Sequence, residues 1–229
     1  MSRPQTATIT KKCLILCEGI DEYFFLIHWL NSPALAHEKG FSRDIQVVDF
    51  GGNSDLAYAL QSYRLVENFS SVTHLMIIRD AEQNPSGAVQ SIQSALHKNG
   101  FMYPDSPAKW CFDSANEIHI GFLLFPQLTA QPVSGTLEDL CVQILAGPDA
   151  PKYMDIVDSF LGTIESDFGS FTHKHKTQLY TYFSVSNKFT GLKIGESAKA
   201  GAFDWDHPKL DPLKDFVRCM LHKYINTKE

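Results

Sequence analysis

Two short stretches carry the carboxylates best placed for chemistry: Leu14-Ile15-Leu16-Cys17-Glu18-Gly19 and Leu75-Met76-Ile77-Ile78-Arg79-Asp80-Ala81-Glu82. Each is an apolar run that ends abruptly in acid. Such a run reads as a buried strand of a parallel sheet whose last residue emerges at the carboxyl edge. Open α/β sheets place their ligands there. Carboxylates gathered at one edge repel one another unless a cation or a proton intervenes. Asp80 and Glu82, two residues apart at a strand end, are expected to point the same way and share a Mg2+ ion, which takes hard oxygen ligands. Arg79 and Ala81 then face elsewhere. Each acid alone also has a plainer role: Glu18 as a turn cap, and Asp21 and Glu22 as complements to a helix dipole.

The elements that must position these acids follow from periodicity. Lys11–Glu18 is expected as a first strand after a loose arm over residues 1–10, with Gly19 allowing the tight turn. Tyr23, Phe24, Leu26, Ile27 and Leu30 lie on one face of a helix from about Asp21, which breaks at Asn31-Ser32-Pro33. Ile45–Phe50 is a second strand. Asn53 or Ser54 caps a helix running through Leu56, Leu60 and Leu65. His74–Arg79 is a third strand, followed by a helix over Ser86–Lys98 closed by Gly100. The segment 101–116 is a loop or a β-hairpin, Ile118–Phe125 is a fourth strand ended by Pro126, and Ser134–Leu140 opens a helix with hydroxyls before carboxylates. Beyond Gly147-Pro148 the pattern is helical: Tyr153–Phe168, Thr177–Val185 and Pro212–Tyr224. Strand-helix repeated three times predicts an α/β fold with a central, mostly parallel sheet flanked by helices. The helical second half caps that sheet within a single domain over 1–229, whose core spans about 11–147.

Bulk properties narrow the partners. The net charge of −6 means that any polyanion must be held by a local basic patch, not by overall charge. One stretch offers it: between Phe171 and Ala200 stand five lysines (174, 176, 188, 193 and 199) against the single acid Glu196. Folded over the acidic edge, it would put phosphate-binding charge beside a metal; otherwise it is a solvated surface, as His173-Lys174-His175 reads by itself. Five cysteines without a Cys-x-x-Cys suit buried, reduced thiols better than disulfides or zinc. No apolar stretch approaches the roughly 20 residues of a membrane span, so the cytoplasm is the expected location. The P-loop, the dinucleotide fingerprint and the Gly-x-Ser-x-Gly elbow are absent from the sequence.

Three motifs in order resemble those of Toprim domains: Cys-Glu-Gly-Ile-Asp-Glu-Tyr-Phe-Phe (17–25), Phe-Gly-Gly-Asn-Ser-Asp-Leu (50–56) and Ile-Ile-Arg-Asp-Ala-Glu (77–82). That fold is shared by topoisomerases, bacterial primases, small recombination proteins and the overcoming-lysogenisation-defect (OLD) nucleases. Gly-Thr-Leu-Glu-Asp-Leu (135–140), Lys-Thr-Gln-Leu-Tyr-Thr-Tyr (176–182) and Gly-Ala-Phe-Asp-Trp-Asp (201–206) resemble a branch of small prokaryotic proteins akin to the OLD nuclease domain. The resemblance implies a Toprim-like, Rossmann-like sheet. Glu18 then matches the glutamate used as general acid/base or metal ligand, and Asp80 and Glu82 fall on the Asp-x-Asp motif. Asp21 matches a further acid of the OLD-like branch, and Glu138, beside Asp139, helps hold a second metal. Gly51 and Gly52 occupy the turn after the second strand, and Lys176 stands near the scissile phosphate. Glu82 departs from the motif, being one methylene longer than the expected aspartate, and Arg79 is unexpected in an anionic site.

The activity so implied is phosphodiester hydrolysis of nucleic acid, DNA ahead of RNA, with Mg2+ or Mn2+. One or two ions stabilise the attacking and leaving oxygens, about 3.5–4 Å apart when paired. DNA repair or phage defence is the setting that goes with it, and a homodimer is one assembly open to the chain. The alternative is a Toprim-like subunit, non-catalytic or partner-activated, working with an ATPase. A third reading keeps only a flavodoxin-like or receiver-like sheet that binds a small phosphorylated ligand.

Overall fold

The computed structural model describes residues 8–37, 41–51 and 56–226, with side chains described as far as residue 221. Its strands are β1 (Cys13–Cys17), β2 (Ile45–Asp49), β3 (His74–Asp80), β4 (Trp110–Asp113) and β5 (Ile118–Phe125). Among the described residues they form one sheet in the order β2-β1-β3-β5-β4. β1 pairs in parallel with β2 and β3, β3 pairs in parallel with β5, and only β4 runs antiparallel, along the edge. All five residues of β1 are fully buried, which is why its sequence is continuously apolar rather than alternating.

The helices are α1 (Ile20–Leu30), α2 (Phe41–Asp44), α3 (Leu56–Arg64), α4 (Pro85–Lys98), α5 (Leu137–Gln143), α6 (Ala150–Phe168), α7 (Lys174–Val185), α8 (Ile194–Lys199) and α9 (Asp211–Asn226). They cover both faces of the sheet. Leu14 and Leu16 of β1 and Leu75 and Ile77 of β3 point to the layer of α3 and α4. Cys13, Ile15, Cys17, Met76 and Ile78 point to the layer that contains α1 and α5 to α9. This alternation is the period of two of a pleated strand, and it governs the site. The chain is thus an α/β protein with a Rossmann-like, three-layer arrangement.

The second half packs on the first without a break in the core. Residues of α6, α7, α8 and α9 share one apolar cluster with β1, β3 and β5. Gly121 of β5 allows a close approach: a Cβ there would lie 2.6 Å from Phe216 of α9 and 2.8 Å from Trp110.

Several expectations need correction. The arm is not loose where it is described: Ile9 is fully buried, Thr10 N–H donates to Gln46 at 2.8 Å, and Gln46 donates back to the Thr8 carbonyl at 3.0 Å. A single apolar residue among polar ones shows no periodicity, and its partner lies on a distant strand. Leu65 lies beyond α3 and is 85% exposed, not on its buried face. The loop-or-hairpin segment contains β4, hairpin-paired with β5. The short α8 was not expected, because six residues are too few for a periodic pattern. Gly52 and the proposed caps Asn53 and Ser54 lie outside the described residues.

Candidate metal centre

The strand order creates the site. From β1 the chain moves to β2 on one side, and β3 then takes its place on the other side. The carboxyl ends of β1 and β3 therefore flank the reversal point, where open α/β sheets leave a crevice. Glu18 immediately follows β1, and Asp80 is the last residue of β3.

A cleft of about 470 Å³ opens at this edge. Asp21, Glu22, Asp80, Glu82, Glu138 and Asp139 line it on the sheet side. Residues 171–176, which enter and begin α7, line it as well. α5 is fixed to the end of β3 by three backbone contacts. Glu82 and Gly135 exchange N–H to carbonyl bonds at 2.9 and 2.8 Å, and the Leu137 N–H donates to Asp80 Oδ1 at 2.8 Å. Asp139 accepts from the Thr136 N–H at 2.8 Å and from its hydroxyl at 3.1 Å, as a helix-start box requires. Glu138, the next residue back, is 9% exposed and faces the cleft.

The basic segment does fold over the acidic edge. Lys176 Nζ lies 3.4 Å from Glu138, and His175 Nε2 lies 3.1 Å from Asp139. Lys193 and Lys176 act electrostatically on Asp21, which also accepts from the Gly195 N–H in α8. Lys174 turns aside to Glu165 at 2.8 Å.

Burial and mutual repulsion shift the acids upward. Asp80 is pushed up to about 9, chiefly by burial and then by the charges of Glu22 and Glu138. Burial raises Glu22 to about 7, with Asp21, Glu138 and Glu18 adding to it against a hydrogen bond from its own N–H. Asp21 is raised by burial and by Glu138. The Tyr180 hydroxyl is raised by burial and by Asp21 and Glu138, which places it beside the same group.

A family model described as "Protein of unknown function (DUF3226)" matches residues 12–221. The chain belongs to the DUF3226 family. No curated protein and no solved structure matches it. The family match embraces every acid of the cleft and the basic segment, so in this DUF3226 chain the site lies wholly within the family's common sequence.

Not every expected residue arrives where strand geometry would send it. Asp21, Asp80, Glu82, Glu138 and Lys176 all line the cleft. Glu82, however, does not continue the strand: its φ of 54° is left-handed and its side chain is exposed, so the i, i+2 alignment with Asp80 is lost. Glu18 does not line the cleft. It pairs with Arg79 Nη2 at 3.2 Å, and both side chains are 18% exposed. Glu22, read from sequence only as a dipole complement, is the acid brought closest in effect to Asp80. Its signal was Gly19 three residues earlier, where a Cβ would fall 2.7 Å from Glu22 Oε2.

The donor set suits a hard divalent cation. It consists of carboxylate oxygens, and burial, reinforced by neighbouring carboxylates, makes two of those acids, Asp80 and Glu22, hold protons near neutral pH. Among the described residues no three His, Cys, Asp or Glu side chains already close on one point. Binding would therefore turn the cleft carboxylates inward.

Proposed function

We propose that this protein is a divalent-metal-dependent phosphodiesterase acting on nucleic acid, of Toprim and OLD-nuclease type, with DNA as the preferred substrate. The observation that carries the reading is one cleft lined both by a group of mostly half-buried acids and by His173, Lys174, His175 and Lys176. Asp80, Glu22 and Glu138 would hold Mg2+ or Mn2+, with Asp21 and Glu82 at the rim. Bound there, the ion would supply Lewis acidity toward a phosphoryl oxygen and lower the pKa of water. Lys176 and the neighbouring cations draw the polyanion to the cleft and orient its phosphate. Asp80 is held in place by the Leu137 N–H on Oδ1, which would leave Oδ2 for the ion. The cytoplasm is the compartment proposed, in keeping with five cysteines that form no disulfide, three of them buried. Among the described residues no helix is long and apolar enough to cross a membrane.

The test is cleavage of plasmid and single-stranded DNA, and of RNA, by purified protein with Mg2+ or Mn2+. Activity should vanish with EDTA and in Asp80→Ala. Cleavage by Asp80→Ala at the unaltered protein's rate would sink the assignment.

A second reading, a subunit activated by an ATPase partner in repair or phage defence, draws on the ion pairs that close the cleft. Lys176 on Glu138 and His175 on Asp139 hold the basic wall against the acidic one. Cleavage that appears only when the ATPase is added would favour it.

A further inference from the structure

We propose that Arg79 is a built-in cation that occupies the Glu18 side of the sheet edge, so that the centre takes one divalent ion per chain, on the Asp80 side alone. The inference rests on the metal reading given above. Its first support is strand register. Cys17 pairs with Ile78, so Glu18 keeps step with Arg79. By alternation both follow Leu14, Leu16, Leu75 and Ile77 toward the α3 and α4 layer, whereas Asp80 follows Met76 and Ile78 to the other face. The strands thereby send the two acids into two compartments on opposite faces of the edge, which still feel each other's charge and meet where the Asp80 N–H reaches the Glu18 carboxylate.

The second support is the contact. Arg79 Nη2 meets Glu18 Oε1 at 3.2 Å, and Arg79 Nη1 reaches Ser91 Oγ of α4 at 3.4 Å. The guanidinium is thus moored at both the carboxylate and a helix, and it carries its charge at every accessible pH. The third support is the donor count left over. Glu18 Oε2 is buried and has no hydrogen-bond partner among the described residues. One oxygen beside a fixed positive charge is a poor place for Mg2+, which wants six ligands in near-octahedral order. The Asp80 side differs on each point: several acids, an open cleft, and no arginine lining it. Glu18 is accordingly a positioning residue for Arg79, whose guanidinium already supplies the Glu18 side with its cation.

Calorimetric titration of the full chain with Mn2+ alone reads this directly. The unaltered protein should bind one ion per chain. Asp80→Asn should weaken binding by about tenfold or more, while Glu18→Gln should leave the dissociation constant within about twofold. Arg79→Ala should admit a second ion, and Arg79→Ala with Glu18→Gln should lose it again. Two ions in the unaltered protein, or a tenfold loss in Glu18→Gln, would overturn the proposal and leave the metal reading standing. No Mn2+ binding to the unaltered protein would overturn the metal reading and this proposal together. If Arg79→Ala does not fold, the ion count of the unaltered protein and the Glu18→Gln result still decide, since both retain the guanidinium.

Discussion

On one side of the sheet edge Glu18 has its countercharge 3.2 Å away in Arg79, whereas on the other Asp80 and Glu22 are raised by burial and then by their acidic neighbours, against hydrogen bonds from backbone N–H groups. Both compartments raise the carboxyls they bury, but by different balances. At Glu18, burial raises the carboxyl and Arg79 offsets part of that rise. At Asp80, burial and charge act in the same direction. An acid with its own arginine has a fixed countercharge within the fold; Asp80 and Glu22, set among further acids at the cleft, are the groups that a cation from outside would relieve most. The difference turns on one residue of alternation in β3, which sends Arg79 to one face and Asp80 to the other.

The comparison breaks most sharply at Glu22. Glu22→Gln should lower Mn2+ affinity by about 10- to 100-fold and reduce cleavage in parallel, although sequence reading gave this residue only a dipole role. Unchanged Mn2+ titration in Glu22→Gln would move the centre away from α1. The Glu18 side should respond in stability instead. Arg79→Ala leaves a largely covered carboxylate without its partner, for an expected loss of about 1–3 kcal/mol in urea unfolding. Adding Glu18→Gln should recover part of that loss, and a double-mutant cycle measures the coupling. Additive losses would mean that the pair is no unit.

Much of this was legible in the chain because it depends on local pattern. The β5 run Ile118–Phe125 and its stop at Pro126 are legible to the residue, and so is the hydroxyl-then-carboxylate start of α5, whereas Glu138 gains its metal role only from the Toprim resemblance. The basic stretch leaves two readings open in the sequence, a cover for the acidic edge or a solvated surface, and residues 171–176 line the cleft. What escaped depends on neighbours far away in sequence. The pairing of Glu18 with Arg79 requires the register of two strands separated by some sixty residues, which no single-strand pattern specifies. Glu82 was aligned with Asp80 on the assumption that the strand continues, but the Gly135 backbone captures it and turns it into the left-handed region. Ile9 was lost for the same reason, being held by Gln46 and covered from afar.

A smaller effect distinguishes the compartments by pH. Asp80 and Glu22 have folded-state values near 9 and 7, above their ordinary 3.8 and 4.5, so the folded protein holds protons that the unfolded chain releases. Stability from these groups is therefore full below about pH 4 and declines as pH rises, through about 7 for Glu22 and about 9 for Asp80. Thermal melts without metal should fall in Tm across that window. Mn2+ should raise Tm most at its alkaline end, where the carboxylates are ionised and ready to bind. Asp80→Asn should flatten the slope, since the amide cannot ionise. A slope equally steep in Asp80→Asn would assign the titration elsewhere.

The smallest effect belongs to Lys176, and it separates attraction of substrate from construction of the acid wall. Its side chain is 59% exposed, so its ion pair with Glu138 is well screened by solvent and contributes little to stability. Toward a nucleic acid the same ammonium counts as one phosphate contact, and its loss should reduce the slope of log affinity against log salt by about 0.7–0.9. Lys176→Ala should therefore leave urea unfolding unchanged and shift only the salt dependence of DNA binding, measured in Ca2+ so that no cleavage intervenes. Glu138→Gln should instead act on Mn2+ affinity. If Lys176→Ala weakens Mn2+ binding as Glu138→Gln does, the lysine is holding the acid in position for the metal; if only the salt slope moves, the cleft has an acidic wall for the ion and a basic wall for the substrate.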